Sequence, residues 1–108
     1  MMEQRLYAWH KTIKLLLEAG ADANLANDQG NTPLYWSSEE KHYGLVKLLI
    51  ASGADINKSN YQGITPLYIA SQGGNHRIVK ILLESGADIN KADNDGVTPL
   101  YSFIGRTL

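Results

Sequence analysis

The tetrapeptide Thr-Pro-Leu-Tyr occurs at residues 32–35, 65–68 and 98–101, and its 33-residue interval constrains the fold more than any other feature of the chain. A second element, Gly-Ala-Asp, keeps that interval at residues 20–22, 53–55 and 86–88. A third is a single asparagine at 24, 57 and 90. Three motifs in one register describe a supersecondary unit used repeatedly. A unit this short cannot bury an apolar face alone, so neighbouring units must stack on one another.

Within each unit the punctuation is that of two helices and a loop. Thr32, Thr65 and Thr98 stand where an N-cap hydroxyl accepts an orphan backbone N–H. The proline after each one suits the first helical position, where a missing N–H costs nothing. In the third unit Gly73-Gly74 stops the first helix and Asn75 follows. A second helix is predicted from about Arg77 to Ser85, with Ile78, Val79, Ile81, Leu82 and Leu83 on a broad apolar face. Leu48 and Leu82 are expected in the core. Gly86 closes that helix, and Asn94-Asp95-Gly96 makes a tight turn in the extended connector.

These motifs resemble the ankyrin-repeat family: T-P-L-H, a Gly-His turn, a V-x-L-L-L helix and G-A-D-x-N. The match runs from about Trp9 to Ile104. Tyr35, Tyr68 and Tyr101 replace the family's usual histidine, Lys41-His42 and Gly74-Asn75 each keep half of the Gly-His turn, and Phe103 replaces a small alanine. The resemblance implies an all-α fold, an ankyrin-repeat solenoid of helix–turn–helix units joined by β-hairpin-like loops. Residues 1–108 then form a single ankyrin-repeat domain. Residues 9–26 are a partial repeat, 27–59 and 60–92 complete repeats, and 93–108 a second partial one. It also implies that Asp22, Asp55 and Asp88 cap the connector turns.

The sequence carries little that points to chemistry. Net charge is −1, which disfavours nucleic acid or an anionic membrane as a partner. With no cysteine there is neither a disulfide framework nor a thiolate metal site. The N-terminus, Met1-Met2-Glu3-Gln4-Arg5, lacks the apolar core of a signal peptide. The apolar runs Leu15–Leu17 and Leu48–Ile50 are far too short to span a bilayer. The expected location is therefore the cytoplasm, with the nucleus as the alternative. His10, His42 and His76 have no partner ligand at metal spacing. Asp93–Gly96 has the look of a calcium loop, but Lys91 and Ser102 stand where its first and bidentate ligands belong. Asn57-Lys58-Ser59 is a sequon with no secretory signal to make it relevant. Lys14, Lys47 and Lys80 align on the second helices and read as a solvated outer face. No catalytic residue, cofactor or metal is expected, and the chain is not expected to be an enzyme.

What varies while the scaffold repeats is the segment before each Thr-Pro: Asp28, Gln29 and Asn31; Tyr61, Gln62 and Ile64; Asn94, Asp95 and Val97. The resemblance places these on hairpin tips and the concave side, where ankyrin proteins hold protein partners. Glu39, Glu40 and Gln72, on the first helices, extend that surface. Tyr61 and Ile64 are the expected anchors, being the aromatic and aliphatic types that carry interface energy. Trp36 is a further candidate, balanced against packing between first helices. The function expected is a protein-interaction module for an unidentified protein. The alternative is a non-autonomous fragment of a longer array with a structural role. At the two ends, Leu6, Tyr7 and Trp9 are the apolar residues available to cover the first unit, and Leu100, Phe103 and Ile104 have no second helix to pack on, so end-to-end self-association is expected. Because no ligand set for a structural metal is present, chelation with EDTA should leave the melting temperature unchanged; a drop of several degrees would contradict that reading.

Overall fold

The computed structural model describes residues 2–107, and the side chains of residues 8–105. Six helices follow one another: α1 (Met2–Glu18), α2 (Pro33–Glu39), α3 (Tyr43–Ala51), α4 (Pro66–Gln72), α5 (His76–Glu84) and α6 (Pro99–Thr107). Among the described residues there is no β-strand. Helices α2, α4 and α6 stack in one layer and α1, α3 and α5 in a second. The result is an all-α repeat solenoid.

The N-caps form as the residue types require. Thr32, Thr65 and Thr98 accept the backbone N–H three residues on, at 3.1, 3.1 and 3.2 Å. Asn75 caps α5 through Ile78 N–H at 3.0 Å, whereas His42 makes no side-chain cap for α3. The turn between paired helices needs a left-handed residue. Gly74 takes it at φ 68°, and Lys41, at the equivalent position, takes it at φ 63°. For a lysine that conformation costs roughly 1 kcal/mol.

Packing joins α2 and α4 each to its own second helix, and α2, α4 and α6 to one another. Leu34, Val46, Leu49, Leu67, Ala70, Ile78 and Leu82 form one cluster with almost no exposure. Leu82 is buried as expected, but Leu48 is only half-buried. The 33-residue register pairs Leu82 with Leu49, which is 1 % exposed, and makes Leu48 the equivalent of Ile81, which is half-buried as well. On α5 the apolar face is narrower than predicted, since Val79 and Ile81 are half-buried and Leu83 is exposed.

The first unit also differs from expectation. One continuous 17-residue helix occupies its place. The cover expected from Leu6 and Tyr7 lies outside the described side chains, and Trp9 is largely exposed, with its ring edge-on to His42 at 6.5 Å.

Two consequences can be measured by denaturant unfolding. Leu49→Ala and Leu82→Ala should each cost ~2–5 kcal/mol, and Leu48→Ala no more than ~1–2 kcal/mol. Equal costs at 48 and 49 would contradict this packing. Lys41→Gly should be neutral or stabilising by up to ~1 kcal/mol, since it relieves the left-handed lysine.

Candidate protein-docking surface

The loops between helices are stacked turns tied together by backbone and side-chain hydrogen bonds. Asn27, Asn60 and Asp93 open the three hairpins. Each accepts two backbone amides on one side-chain oxygen, at 2.9–3.0 Å. Neighbouring hairpins are then joined, Tyr61 N–H donating to Gln29 C=O at 3.2 Å and Asn94 N–H to Gln62 C=O at 3.0 Å. The Asn94 side-chain amide donates to Tyr61 C=O at 2.7 Å, and that of Asn60 to Asn31 Oδ1 at 2.9 Å. Gly63, at φ 81°, accepts this closeness because a Cβ there would lie 2.6 Å from Asn94 Oδ1.

A second line of polar contacts runs at the opposite end of each connector. Asp22, Asp55 and Asp88 accept the amide two residues on, at 2.8–3.1 Å, closing the turn. Asn24 and Asn57 reach across to the next repeat. Their Oδ1 atoms accept Asp55 and Asp88 N–H at 2.6 and 2.7 Å, and their amides donate to Gly53 and Gly86 C=O at 3.3 and 3.4 Å. Lys58 and Lys91 ammonium groups add bonds to the Asn24 and Asn57 carbonyls.

This scaffold leaves some of the expected residues open and engages others. Asp28, Gln29, Tyr61, Gln62, Asn94 and Asp95 are exposed along the hairpin tips, and Glu39 and Glu40 are exposed at the end of α2. Tyr61 is the most open large hydrophobic side chain among the described residues at 73 % exposure, with its ring set against Gly30. Asn31, Ile64 and Val97 are half-buried where the hairpins turn back toward the helices. Ile64 is therefore less available as an anchor than Tyr61. Gln72 is not on an open face either: it is half-buried and donates to Ser102 Oγ at 3.3 Å, because α6 packs over that side of α4.

Trp36 stands partly open at 42 %, stacked on the His42 ring at 5.4 Å. Arg77 lies over the Tyr43 ring at 3.7 Å and Lys47 more loosely at 5.7 Å. No sequence signal marked these contacts, since Trp36, His42 and Tyr43 have no like residue one interval away.

The tyrosine row splits by position. Tyr35 and Tyr68 are buried, at 7 % and 6 %, and Tyr101 is 67 % exposed. The Tyr68 hydroxyl donates to Asp93 Oδ2 of the next hairpin at 2.8 Å. Burial pushes both hydroxyls above the usual 10.0, helped at Tyr35 by the nearby Glu39 charge. The Val97 amide is the largest influence holding the Asp93 carboxyl below its usual 3.8; partial burial opposes it, and the Tyr68 hydroxyl and Asp95 amide reinforce it.

Apolar grooves lie at the two ends of the stack. One of about 580 Å³ lies between α5 and α6, beside Val79, Leu83, Leu100 and Phe103. Another of about 380 Å³ lies between α1 and α2, beside Ile13, Leu16, Leu17 and Trp36. Among the described residues no group of three or more His, Cys, Asp or Glu side chains is placed to hold a metal ion. No described helix is long and apolar enough to cross a membrane.

The family model described as ankyrin repeats (many copies) matches residues 2–43, 36–83 and 74–106. The chain belongs to the ankyrin-repeat family. No curated protein matches it. Ankyrin repeats are in general protein-interaction modules.

The Tyr68–Asp93 bond makes two measurable claims. Tyr68→Phe should cost ~1 kcal/mol and Tyr68→Ala ~3–5 kcal/mol, while Tyr101→Ala should change stability by under about 0.5 kcal/mol. A carboxyl depressed in the folded state contributes stability that is present above its ordinary value and lost as pH falls through the folded one. Unfolding below about pH 4 should therefore steepen in the natural chain and flatten in Asp93→Asn. Parallel pH profiles would contradict the assignment.

Proposed function

We propose that this ankyrin-repeat protein docks a partner protein on its hairpin tips and the adjoining end of α2, on the concave side of the stack. It acts by rigid-surface recognition, without catalysis and without a cofactor, in the cytoplasm. The observation that carries the reading is Tyr61, an aromatic ring 73 % exposed on a backbone bonded to both neighbouring hairpins. Exposing a large ring to water is unfavourable, and holding its backbone in place lowers the entropy that a partner must remove on binding. Such rigid aromatics are the residues that most often dominate interface energy.

Charge narrows the partner. The expected surface residues that stand open are Asp28, Gln29, Glu39, Glu40, Tyr61, Gln62, Asn94 and Asp95, which include four carboxylates and no cation. A surface with lysine or arginine around a pocket for one aromatic ring is the complement. Lys14, Lys47 and Lys80, exposed on α1, α3 and α5, belong to the outer layer and take no part.

The test is a pull-down with the 108-residue chain, followed by titration of the captured protein. Tyr61→Ala should weaken binding by on the order of 1–3 kcal/mol, and Lys47→Ala and Lys80→Ala should change it little. Raising salt should slow association. The reverse pattern, with the lysines dominant and Tyr61 neutral, would contradict the assignment.

A further inference from the structure

The end grooves and the docking surface are separate features, and the grooves support an inference that does not depend on the partner. We infer that copies of this chain join head to tail by building a complete repeat between them. Helix α6 of one copy supplies its first helix, and α1 of the next copy supplies its second.

The burial pattern is the starting point. In complete repeats the first helix and its following helix cover each other: Leu34 and Leu67 are 0 % and 2 % exposed, and Leu49 and Leu82 are 1 % and 0 %. Leu100 is the equivalent of Leu34 and Leu67 on α6, and it is 69 % exposed. Leu16 is the equivalent of Leu49 and Leu82 on α1, and it is 56 % exposed. Among the described residues, α6 thus presents a first-helix face with no second helix over it, and α1 a second-helix face with no first helix over it. Each exposed face has the chemistry that its counterpart at the far end of the molecule is built to cover.

Register carries the match to the polar rungs. Asn24 and Asn57 each take the amide of the aspartate one repeat on and donate to a glycine carbonyl there. Asn90 is the third rung, and the groups in line for it are Asp22 N–H and Gly20 C=O of the next copy. Tyr101 stands to Asn27 of the next copy as Tyr68 stands to Asp93, but here the Asn27 side-chain amide would donate to the hydroxyl, because its Oδ1 already accepts two backbone amides. Residue size follows the same logic. Phe103 stands where Ala70 and Ser37 are buried, so the joining helix needs room opposite it. Helix α1 provides this with Thr12, where Ile78 and Leu45 stand in the complete repeats.

A contact between different ends is heterologous, so it propagates instead of closing into a two-fold dimer. The pairing also brings Asp95 beside Asp28 of the next copy. Association should therefore strengthen with salt, both by screening that pair and by favouring apolar burial.

Two variants of the full chain test this by sedimentation. Leu16→Asp disables one end and Leu100→Asp the other, at positions 56 % and 69 % exposed, where the change costs a copy little of its own packing. The natural chain should show mass rising with concentration beyond a dimer. Each variant alone should remain at one 11.9 kDa chain. An equimolar mixture should form a species of twice that mass and no larger, because only one compatible pair of ends survives. Circular dichroism identifies any variant that fails to fold, and Leu16→Gln with Leu100→Gln then takes its place. A natural chain that stays monomeric to about 1 mM, a variant that dimerises alone, or a mixture that stays monomeric would each overturn the proposal.

Discussion

Every repeat in this molecule depends on the next one for its burial, and the tyrosine row shows how completely. Tyr35, Tyr68 and Tyr101 share one local structure, each following a capping threonine and a proline at the start of a helix. Two are buried and hydrogen-bonded or packed, and the third is open to water. Sequence and backbone are alike at all three positions, so the difference lies in the presence of a following hairpin and helix. Stability in such a stack is a sum of weak intrinsic terms and strong nearest-neighbour terms.

The same dependence is expressed in polar groups at both ends of the connectors. Asn24, Asn57 and the backbone amides of Tyr61 and Asn94 each spend their bonding capacity on the adjacent repeat. With the connectors bonded in this way, side chains at their tips project from a backbone that is already ordered. Order at the tips and stability of the stack are thus consequences of one arrangement.

Much of this was legible in the 33-residue interval. The threonine caps and the helix stops follow from local backbone chemistry, which a single sequence displays directly, and the aspartate turns from the resemblance to the family. The errors came where tertiary register decides. Leu48 and Leu82 look alike in composition, but they are not equivalent positions, and only Leu82 faces the core. Gln72 reads as a polar residue on an exposed helix, yet α6 covers it and Ser102 takes its hydrogen bond. Ile64 reads as an anchor because it is aliphatic and non-repeating, but the hairpin folds it partly inward. The Trp36–His42 stack and the Arg77–Tyr43 contact join residues that recur nowhere in the register, so an argument from repetition does not find them.

Amide hydrogen exchange on the dilute monomer measures the neighbour dependence most directly. If each repeat is held by its neighbours, protection should peak through residues 65–86, where both sides are covered, and decline toward α1 and toward α6. Helix α6 carries the same threonine cap and proline start as α4, so local structure alone would protect the two alike. Protection through residues 99–104 equal to that through 66–72 would contradict the account.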